Sequence, residues 1–424
     1  MLVIYNIIQI VLTIILAPII IGVVVIQPKY RGRIFKRLGY RLDEILKGQL
    51  HRHCIWIHAL SVGEVASVRT FVEEIKKEFQ GSTIVFSSTT RSGEQHARVA
   101  LADFVDIFIS FPLDNFWVVK YFIRVIRPDF FVLVETDFWP NFIYCLKEEN
   151  IPAVLVNGRI SEEAYANYRR FTYMFRPMFE SFKALAVQRE EDVVMFKSLG
   201  VGKDKLFRLG NLKYDVLTPS PPVKKEPDDR KFPIPEQKIV WVAGSTHPGE
   251  EEILFAVFKR LQPSCPDLFL VIAPREIERA DNIKQLAGRN DIKMFLRTES
   301  ALGEANGMIL NTLGELASIY SLADFAFVGG SLVPKRGHNP LEPAAKGKIV
   351  LFGPHMEDFI DIVTDMLRDK IAIQVESEND LEKEIRKLLS SPSLLPREGL
   401  RASEFVRKRQ GVTGRHIEMI RKVI

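Results

Sequence analysis

The stretch WIHALSVGEV, residues Trp56–Val65, carries the pattern that decides the fold class of this chain. Its apolar half predicts a buried strand, its small residues predict a tight turn, and Glu64 stands where a helix would begin. Open α/β sheets hold their ligands in such loops, outside the carboxyl ends of the strands. The same strand–loop–helix order recurs downstream with a different polar group in each loop, which predicts an enzyme with a ligand cleft.

The recurrence is clearest in the first half of the chain. Short apolar runs predict strands at Cys54–His58, Thr83–Ser87, Asp106–Ser110, Phe130–Val134, Ala153–Val156, Ala184–Val187 and Leu206–Leu209. Amphipathic stretches between them predict helices at Glu64–Phe79, Arg91–Ala102, Phe116–Ile126, Phe138–Glu149 and Glu190–Ser198. Strands that alternate with helices favour a parallel, doubly wound sheet.

A proline-rich, charged segment, Leu217–Gln237, interrupts this alternation and predicts an interdomain linker. Apolar runs then resume at Ile239–Ala243, Leu268–Ala273, Met308–Leu310, Phe325–Val328 and Ile349–Phe352, so a second α/β domain is expected. The last stretch, Ala402–Ile424, has the pattern of a basic amphipathic helix.

The expected organisation therefore has five parts. They are an N-terminal segment 1–28, a Rossmann-like domain 29–216, the linker 217–237, a second Rossmann-like domain 238–400, and a C-terminal helix 401–424. The C-terminal helix is expected to pack back toward the first domain. The two domains are expected to face each other across a cleft, which is a common place for a ligand site.

Composition excludes several classes of protein. Of the 424 residues, 47% are hydrophobic, which excludes a disordered chain. The formal charge of +5 is too small and too widely distributed to indicate nucleic-acid binding. Cys54, Cys145 and Cys265 are far apart and odd in number, so neither a disulfide framework nor a zinc site is expected, and a reducing compartment fits best. The sequence has no G-x-G-x-x-G, Walker A or H-E-x-x-H motif, which excludes a simple NAD site, a P-loop and a zincin-type zinc site.

The N-terminus predicts membrane attachment. Residues 2–27 carry no charge and consist mainly of Ile, Val and Leu, which exceeds the roughly 20 residues that a spanning helix needs. A basic collar follows, formed by Lys29, Arg31, Arg33, Lys36, Arg37 and Arg41. The positive-inside rule then places the bulk of the chain on the cytoplasmic face of the inner membrane and the N-terminus outside. The alternative is a helix that Pro18 and Gly22 bend into one leaflet, but the length favours spanning.

Two carboxylates and one ammonium group follow predicted strands of the first domain. Glu64 completes the capping-box pattern Ser61-x-x-Glu64, so it either bonds back to the helix start or, if apolar surroundings raise its pKa, acts as a general base. Glu135 ends the apolar run Phe130–Val134, where a carboxylate is costly unless it is paired or used. Lys213 places a cation at the mouth of the domain, which is a weak indication by itself.

The second domain offers loops suited to an anion. Gly244–His247 separates a predicted strand from a helix predicted at Glu250–Phe258. Such a turn either exposes N–H groups to an anion or is a plain tight turn. Arg275 ends the next strand, where a guanidinium would add to the same phosphate site.

A second group of loops is suited to a nucleotide. Gly330 would permit close approach of the backbone, and Glu342 could hold ribose hydroxyls. The alternative is that Asn339 caps a helix with Pro340 at its first position, and that Glu342 completes the capping box. Gly314-Glu315-Leu316 opens another helix.

Taken together, these segments resemble one family closely, the 3-deoxy-D-manno-octulosonic acid (Kdo) transferases of lipopolysaccharide synthesis. The resemblance is carried, in chain order, by Ser61–Glu64, Glu135–Pro140, Asn157–Ser161, Gly210–Lys213, Gly244–His247, Pro274-Arg275, Gly314-Glu315, Gly329–Pro334 and His338–Glu342. It implies a GT-B architecture of two Rossmann-like domains and an inverting glycosyltransferase that uses no metal or other cofactor.

The resemblance also implies the roles of individual residues. Glu64 would be the general base that deprotonates the acceptor hydroxyl, and Glu135 and Lys213 would stabilise the transition state. The nucleotide of the donor, CMP-Kdo, would be bound by Pro274, Arg275, Gly314, Glu315, Leu316, Asn339, Pro340, Leu341 and Glu342. The acceptor would be a lipid A precursor (lipid IVA) at the membrane, bound by the domain 29–216, while 238–400 would bind the CMP-sugar.

Two other classes of protein share parts of the pattern. A UDP-sugar glycosyltransferase or a UDP-sugar epimerase would have the same second-domain loops, and preference for CMP over UDP separates them from a Kdo transferase. A non-catalytic membrane scaffold would tolerate Glu64→Gln, whereas the enzyme would not. The sequence leaves open how many Kdo residues are transferred, which acyl pattern the acceptor has and what the oligomeric state is.

Overall fold

The computed structural model describes residues 2–26, 28–50, 53–216, 232–235, 237–299, 305–391 and 393–424, with side chains before residue 32 described only at 5–18 and 22. Contacts divide the chain into two compact units, Met1–Val216 with Gly411–Ile424, and Leu217–Gln410. Most of the predicted linker, residues 217–231 and 236, lies outside the described residues.

The first unit contains a parallel seven-stranded sheet in the order β3-β2-β1-β4-β5-β6-β7. Its strands are β1 Cys54–Ala59, β2 Thr83–Ser88, β3 Ile107–Ser110, β4 Phe130–Val134, β5 Ala153–Gly158, β6 Ala184–Val187 and β7 Leu206–Arg208. Its first eleven helices are α1 Leu2–Ile26, α2 Pro28–Arg37, α3 Leu42–Leu46, α4 Val62–Ser67, α5 Arg69–Glu78, α6 Arg91–Ala100, α7 Phe116–Ile126, α8 Pro140–Glu148, α9 Glu162–Arg170, α10 Thr172–Glu180 and α11 Glu190–Ser198.

Strand β1 shows why this sheet is buried on both faces. Trp56 points into one core, where its ring meets Phe142 edge-on at 5.0 Å between centroids. Its neighbours Ile55 and Ile57 point into the other core with Phe71. Because helices cover both faces, the strands read as continuous apolar runs rather than as an alternating pattern.

The helix predicted at Glu64–Phe79 is two helices, α4 and α5, which meet at Val68. Ser61 is the N-cap of α4, and its hydroxyl accepts a hydrogen bond from the N–H of Glu64 at 3.4 Å. The cap therefore fixes the helix start, and with it the direction in which Glu64 leaves the backbone.

The second unit has a parallel sheet of the same size, in the order β10-β11-β9-β8-β12-β13-β14. Its strands are β8 Ile239–Thr246, β9 Leu268–Pro274, β10 Met294–Leu296, β11 Gly307–Ile309, β12 Phe325–Val328, β13 Ile349–Phe352 and β14 Ala372–Gln374. Its helices are α12 Glu250–Leu261, α13 Ala280–Arg289, α14 Leu316–Leu322, α15 Leu341–Ala345, α16 Ile360–Arg368, α17 Glu378–Ser390 and α18 Leu394–Arg409.

The C-terminus differs from the single helix predicted at 401–424. Helix α18 ends at Arg409 in the second unit, Gly411 takes a positive φ of 77°, and a separate helix, α19, runs over Val412–Val423. The backbone N–H groups of Gly411 and Thr413 donate to the carboxylate of Asp215 at 2.8 and 2.6 Å. These bonds satisfy the start of α19 and hold it on the first unit.

The predicted N-terminal anchor, 1–28, forms α1 and the start of α2 in the described residues. Among all the residues that the structure describes, no helix is both long enough and apolar enough to cross a membrane.

Candidate functional site

The candidate site of the first unit lies where its strands end. Glu64 follows β1, Glu135 follows β4, and Asn157 is near the end of β5. β1, β4 and β5 are neighbours in the sheet and run parallel. Since the carboxyl ends of parallel strands lie along one edge, the fold brings these three residues together at the edge where α/β sheets bind ligands.

The side chain of Glu64 bonds back toward the start of α4, but to the residue before the cap rather than to Ser61 itself. The N–H of Leu60 donates to its Oε2 at 2.6 Å, so the carboxylate bonds back to the residue before the N-cap. Burial raises the pKa of Glu64 to about 8, the charge of Glu135 adds to the rise, and the bond from Leu60 opposes it. The group therefore keeps its proton up to about pH 8, and the carboxylate formed above that pH is a stronger base than an ordinary carboxylate.

Glu135 is held in a strained backbone conformation. It has a φ of 60°, in the left-handed region that side chains with a Cβ rarely adopt, and it is buried. Its Oε1 accepts a hydrogen bond from Nδ2 of Asn157 at 3.1 Å, and its Oε2 accepts one from Nε of Arg159 at 3.2 Å. A buried carboxylate is thus paired by an amide and a guanidinium, and strain of this kind concentrates at functional sites.

Asn157 connects Glu135 to the loop that carries Lys213. Its Oδ1 accepts from the N–H of Leu212 at 2.9 Å, next to Lys213 in a short 3₁₀ helix. Asn211 caps that turn by accepting from the N–H of Lys213 at 2.9 Å. The structure therefore ties the backbone at Lys213 to the same carboxyl edge as Glu64 and Glu135.

His416, from α19, supports the site, although no local sequence pattern pointed to it. Its Nε2 accepts from the N–H of Asn157 at 3.2 Å, and its Nδ1 donates to the carbonyl of Val412 at 2.9 Å. Complete burial lowers the pKa of His416 to about 4, which fits a neutral ring with one donor and one acceptor. The partners are 259 positions apart in sequence, so only the fold reveals the link.

His58 and Asp137 form a second pair at this edge that the sequence analysis did not identify. Nε2 of His58 lies 2.8 Å from Oδ2 of Asp137, and the hydroxyl of Thr89 donates to the same oxygen at 2.7 Å. Burial would raise the pKa of Asp137, but the bond and the charge of His58 outweigh it and the pKa is lowered. The signal available in the sequence was a polar residue inside the apolar run of β1.

In the second unit, Glu250 is the first residue of α12, and its side chain reaches into the turn after β12. Its carboxylate accepts hydrogen bonds from the N–H groups of Gly330, Ser331 and Leu332 at 2.7, 3.0 and 3.0 Å, and from His247 at 3.0 Å. Burial raises the pKa of Glu250, and these bonds oppose the rise. These N–H groups therefore bond the protein's own carboxylate, so a nucleotide that approached Gly330 would not be bound through them.

Gly244 lies inside β8, which continues to Thr246, so the predicted turn begins later than expected. A Cβ at Gly244 would lie 2.0 Å from the hydroxyl of Tyr320 and 3.1 Å from Cδ1 of Leu316. The glycine therefore lets α14 approach β8 closely.

Arg275, His338 and Glu342 gather near the start of α15. Arg275 is exposed and follows Pro274, the last residue of β9. Burial lowers the pKa of His338 to about 4, and the charge of Arg275 contributes. Burial raises the pKa of Glu342, while a bond from Asn339 and the charge of Arg275 oppose the rise. A cation, a neutral ring and a carboxyl group in one place suit a phosphate and ribose hydroxyls.

The start of α15 lies one residue later than expected. Pro340 is the N-cap, Leu341 is the first helical residue and is buried, and the Oδ1 of Asn339 accepts from its N–H at 3.1 Å. Nδ2 of Asn339 donates to Oε1 of Glu342 at 3.4 Å. Asn339 therefore both bonds the start of α15 and holds Glu342, the residue expected to contact the ribose.

Gly314, Glu315 and Leu316 form the turn into α14. Gly314 has a φ of 79°, Glu315 is the N-cap, and Leu316 is the first helical residue. The carboxylate of Glu315 accepts from the hydroxyl of Thr312 at 2.5 Å and lies 3.3 Å from Nε of Arg297. Because its side chain is already engaged, Glu315 can meet a ligand more readily through the backbone of the turn.

His247 and His338 form a pair that the sequence analysis did not predict. Their Nε2 atoms lie 2.9 Å apart and their rings are parallel to within 2°. Burial lowers the pKa of both imidazoles, with Arg275 contributing. One neutral ring can therefore donate to the other, which links the loop after β8 to the loop before α15.

Known proteins similar to this chain were found by sequence. The sequence model of the family described as 3-Deoxy-D-manno-octulosonic-acid transferase (kdotransferase) matches residues 32–216. A 3-deoxy-D-manno-octulosonic acid transferase from Haemophilus influenzae is 30% identical over 398 residues, 93% of this chain and 92% of that protein. A bifunctional glycosyltransferase/methyltransferase from Fusobacterium nucleatum is 33% identical over 373 residues, 86% of this chain, and the match spans 57% of that longer protein.

Solved structures with the same fold include a glycosyltransferase from Rickettsia africae, with a TM-score of 0.57 and 13% identity, covering 88% of this chain and 98% of that one. MurG from Acinetobacter baumannii has a TM-score of 0.55 and 13% identity, with coverage of 87% and 99%. UDP-GlcNAc 2-epimerase from Neisseria meningitidis has a TM-score of 0.55 and 12% identity, with coverage of 84% and 99%. At these identities the likeness shows the fold of two Rossmann-like units and carries no information about substrate.

Proposed function

Because the chain belongs to the 3-deoxy-D-manno-octulosonic acid (Kdo) transferase family, we propose that it is an inverting glycosyltransferase that moves Kdo from CMP-Kdo to a hydroxyl of a lipid A precursor. The observation that carries this proposal is the buried carboxyl group of Glu64. It lies at the ligand-binding edge of the first sheet, and burial raises its pKa to about 8. Transfer to a hydroxyl needs a base with these properties.

In the proposed reaction, the acceptor oxygen attacks the anomeric carbon on the face opposite the phosphate. Its proton passes to the carboxylate of Glu64 as the new carbon–oxygen bond forms. The bond from the anomeric carbon to CMP breaks, and its electron pair leaves with the phosphate. The anomeric carbon acquires oxocarbenium character on the way, by analogy with glycoside hydrolysis.

Glu135 and Lys213 are proposed to stabilise this transition state. Glu135 is fixed by Asn157 and Arg159, so its carboxylate is preorganised beside the developing positive charge at the sugar. Lys213 is proposed to pair with the carboxylate of the donor sugar. The hydrogen bonds of Asn211 and Asn157 to the turn at Lys213 support this placement.

The second unit is proposed to bind the CMP moiety. Arg275 supplies a guanidinium for the phosphate, and the turns at Gly314–Leu316 and Asn339–Leu341 supply backbone N–H groups at helix starts. Glu342 is proposed to accept hydrogen bonds from ribose hydroxyls, since the bond from Asn339 fixes its carboxyl group and the charge of Arg275 favours its ionised form.

Attachment to the cytoplasmic face of the inner membrane is part of the proposal. It is supported by the uncharged residues 2–27 and by the basic collar that follows them, which suits anionic head groups. Removal of residues 1–28 is expected to weaken membrane association without unfolding the two units. A truncated protein recovered entirely with the membrane fraction would contradict this.

The experiment that tests the reaction is a single-turnover assay with CMP-Kdo generated in situ and a tetraacylated lipid A precursor. Wild type is compared with Glu64→Gln, which keeps the shape of the side chain and removes the base. We expect CMP release and a Kdo-shifted lipid mass with wild type, and a loss of about 10²–10⁴ in rate with the variant. The number of mass steps counts the sugars added.

Two results bear on different parts of the proposal. Full turnover by a folded Glu64→Gln protein would remove Glu64 as the base while leaving the reaction in place. A folded wild-type protein that binds CMP but makes no product would mean a different acceptor or a different sugar. Binding of CMP by both proteins, followed by thermal shift, controls for folding.

A further inference from the structure

The first two turns of α1 are joined to the rest of the first unit by a partly buried polar cluster, which we call the latch and define as Tyr5, Asn6, Gln9, Asp114 and Asn141. The hydroxyl of Tyr5 donates to Oδ2 of Asp114 at 2.9 Å. Nε2 of Gln9 donates to the backbone carbonyl of Asp114 at 2.8 Å. Nδ2 of Asn141 donates to Oδ1 of Asn6 at 2.8 Å. Every polar side chain in these two turns therefore has a partner in the catalytic unit.

The receiving side of the latch is built into the fold. Asp114 and Asn141 are both buried. The carboxylate of Asp114 also accepts from the N–H groups of Asn141 and Phe142, at 3.2 and 2.9 Å, which cap α8. Burial raises the pKa of Asp114 to about 6, and the bonds from Asn141, Tyr5 and Phe142 oppose the rise. A buried carboxyl group that accepts several hydrogen bonds is held in one position.

The opposite face of α1 is apolar and exposed. Tyr5, Asn6 and Gln9 fall within roughly 100° of the helix circumference, given 3.6 residues per turn. Side chains outside this arc point to solvent, among them Ile7, Ile8, Val11, Ile14 and Ile15, with Ile14 68% exposed. A contiguous stripe of exposed Ile and Val is a surface that needs a partner.

The latch decides the topology of α1. A helix that crosses the bilayer with its N-terminus outside would place residues 5–9 on the far side of roughly 30 Å of hydrocarbon from the catalytic unit. The structure places those residues in hydrogen-bond contact with Asp114 and Asn141. We infer that α1 lies within one leaflet, held to the catalytic unit by the latch and presenting its Ile- and Val-rich face to the acyl chains.

A lipid leaflet fits this face better than a protein partner does, because of the residues that follow α1. Phe35 and Tyr40 are exposed, with ring centroids 6.1 Å apart, and Lys36 between them is exposed as well. Aromatic rings and Lys side chains together are typical of the head-group region, where the cation meets anionic lipids. The apolar stripe thus suits the acyl-chain region of one leaflet, and the aromatic and basic side chains suit its head-group region.

The latch also places the membrane surface beside the catalytic edge. Asp114 follows β3, and Asn141 is in the first turn of α8, immediately after the loop that carries Glu135 and Asp137. This part of the inference rests on the proposed function, since it means that the lipid acceptor reaches Glu64 from the leaflet in which α1 lies.

Cross-linking in native membranes tests the topology. Ile8→Cys and Trp117→Cys introduce exposed thiols on the two sides of the latch, one on α1 and one on α7, in a Cys265→Ser background. A bis-maleimide much shorter than the bilayer is added to membranes. We expect an intramolecular cross-link with the double variant and none with either single variant. Absence of the cross-link in a protein that still binds CMP would overturn the inference.

Vesicle flotation tests the lipid-facing stripe, with vesicles of phosphatidylethanolamine and phosphatidylglycerol. Ile8→Glu with Ile15→Glu is expected to weaken binding at least about tenfold, because burying a single Ile contributes that much. Val99→Glu is the matched control, since Val99 is 81% exposed on α6, and it is expected to bind like wild type. Equal binding by the stripe variant and the control would show that this face does not contact lipid.

A third variant separates the latch from membrane binding. Asn6→Leu with Gln9→Leu removes hydrogen bonds from α1 and adds apolar surface, while Asn141 keeps its bond to the carbonyl of Asp114 at 2.6 Å. We expect unchanged vesicle binding, unchanged transfer to a detergent-dispersed acceptor, and at least a tenfold loss with an acceptor embedded in vesicles. If the double variant matched wild type on both acceptors, the latch would have no part in presenting the membrane-embedded acceptor to the site. If wild type transferred to neither acceptor, the proposed function would be refuted instead.

Discussion

The side-chain amide of Asn157 donates a hydrogen bond to the carboxylate of Glu135 at 3.1 Å, and both residues have a positive φ, 54° and 60°. Two left-handed, non-glycine residues in hydrogen-bond contact at a sheet edge are costly, so their surroundings must hold them in place. Asn157 is held by His416, Gln188 and Leu212 as well. The geometry of Glu135 therefore depends on segments from three parts of the chain.

Replacement of Asn157 by alanine is expected to destabilise the protein by about 2–4 kcal/mol, because buried partners lose their bonds and a left-handed backbone loses a tolerant side chain. Urea unfolding measures the change. Asn157→Gly is the control, since it removes the same hydrogen bonds but accepts a positive φ, and we expect it to recover about 1 kcal/mol. Equal losses for the two variants would mean that backbone strain contributes nothing at this position.

The rate of transfer is expected to rise with pH and to level off above pH 8. Glu64 must be ionised to act as a base, and its pKa is raised to about 8. The profile of kcat between pH 6 and pH 9.5 measures this, and the rising limb should be missing from the residual activity of Glu64→Gln. A wild-type profile that is flat across this range would contradict the assignment of Glu64.

Glu64 also has a consequence for stability. The native state holds its proton up to about pH 8, whereas the unfolded chain releases it near pH 4.3. Between these values the native state binds more protons, so the free energy of unfolding falls as pH rises. Glu64→Gln is expected to be more stable than wild type at pH 9 by at least about 1 kcal/mol. Chemical unfolding at pH 5 and pH 9 gives the comparison, and a wild type that gains stability over this interval relative to the variant would show the opposite sign.

Glu250→Gln is expected to destabilise the second unit by about 2–4 kcal/mol, because an amide nitrogen would face backbone donors that now bond a carboxylate oxygen. Glu252→Gln is the matched control on the same helix. Glu252 accepts one bond, from the N–H of Gly249 at 3.1 Å, in an exposed position, and should cost about 1 kcal/mol or less. Similar losses in thermal unfolding would argue against a structural role for the buried carboxylate.

CMP is expected to raise the melting temperature of the protein, and UDP is expected to leave it unchanged. Arg275→Gln should weaken CMP binding by about tenfold or more, since a hydrogen bond to a charged group contributes on that scale. Arg289→Gln, an exposed arginine on α13, is the control and should bind CMP as wild type does. A larger stabilisation by UDP would favour a UDP-sugar enzyme of the same fold.

Much of the architecture follows from local sequence patterns. The strands at Phe130–Val134, Ala184–Val187 and Phe325–Val328 have the predicted bounds, because a buried parallel strand is a short run of apolar residues and each run contains its own signal. The three-residue strands Met294–Leu296 and Ala372–Gln374 were not predicted. Runs that short do not establish a period, so only pairing at the sheet edges identifies them.

The break between α18 and α19 at Gly411 is a helix end that the local sequence could have predicted. The basic residues at the end of α18, followed by Gln410 and Gly411, form a usual helix end. The break lets α19 return to the first unit, where Asp215 receives its first N–H groups. Sequence could locate the stop, whereas the partner of α19 could come only from the fold.

The sequence by itself determined the two α/β units and the placement of Glu64 and Glu135 at strand ends, because these depend on the spacing of apolar residues and on turn chemistry within a few positions. Only the tertiary structure decided that burial, rather than the helix start, sets the pKa of Glu64. It also decided that Glu250 fills the turn at Gly330 and that the first turns of α1 bond to Asp114. These outcomes depend on which groups meet across 80 to 109 positions of chain, and burial and charge act through distance in space rather than along the sequence.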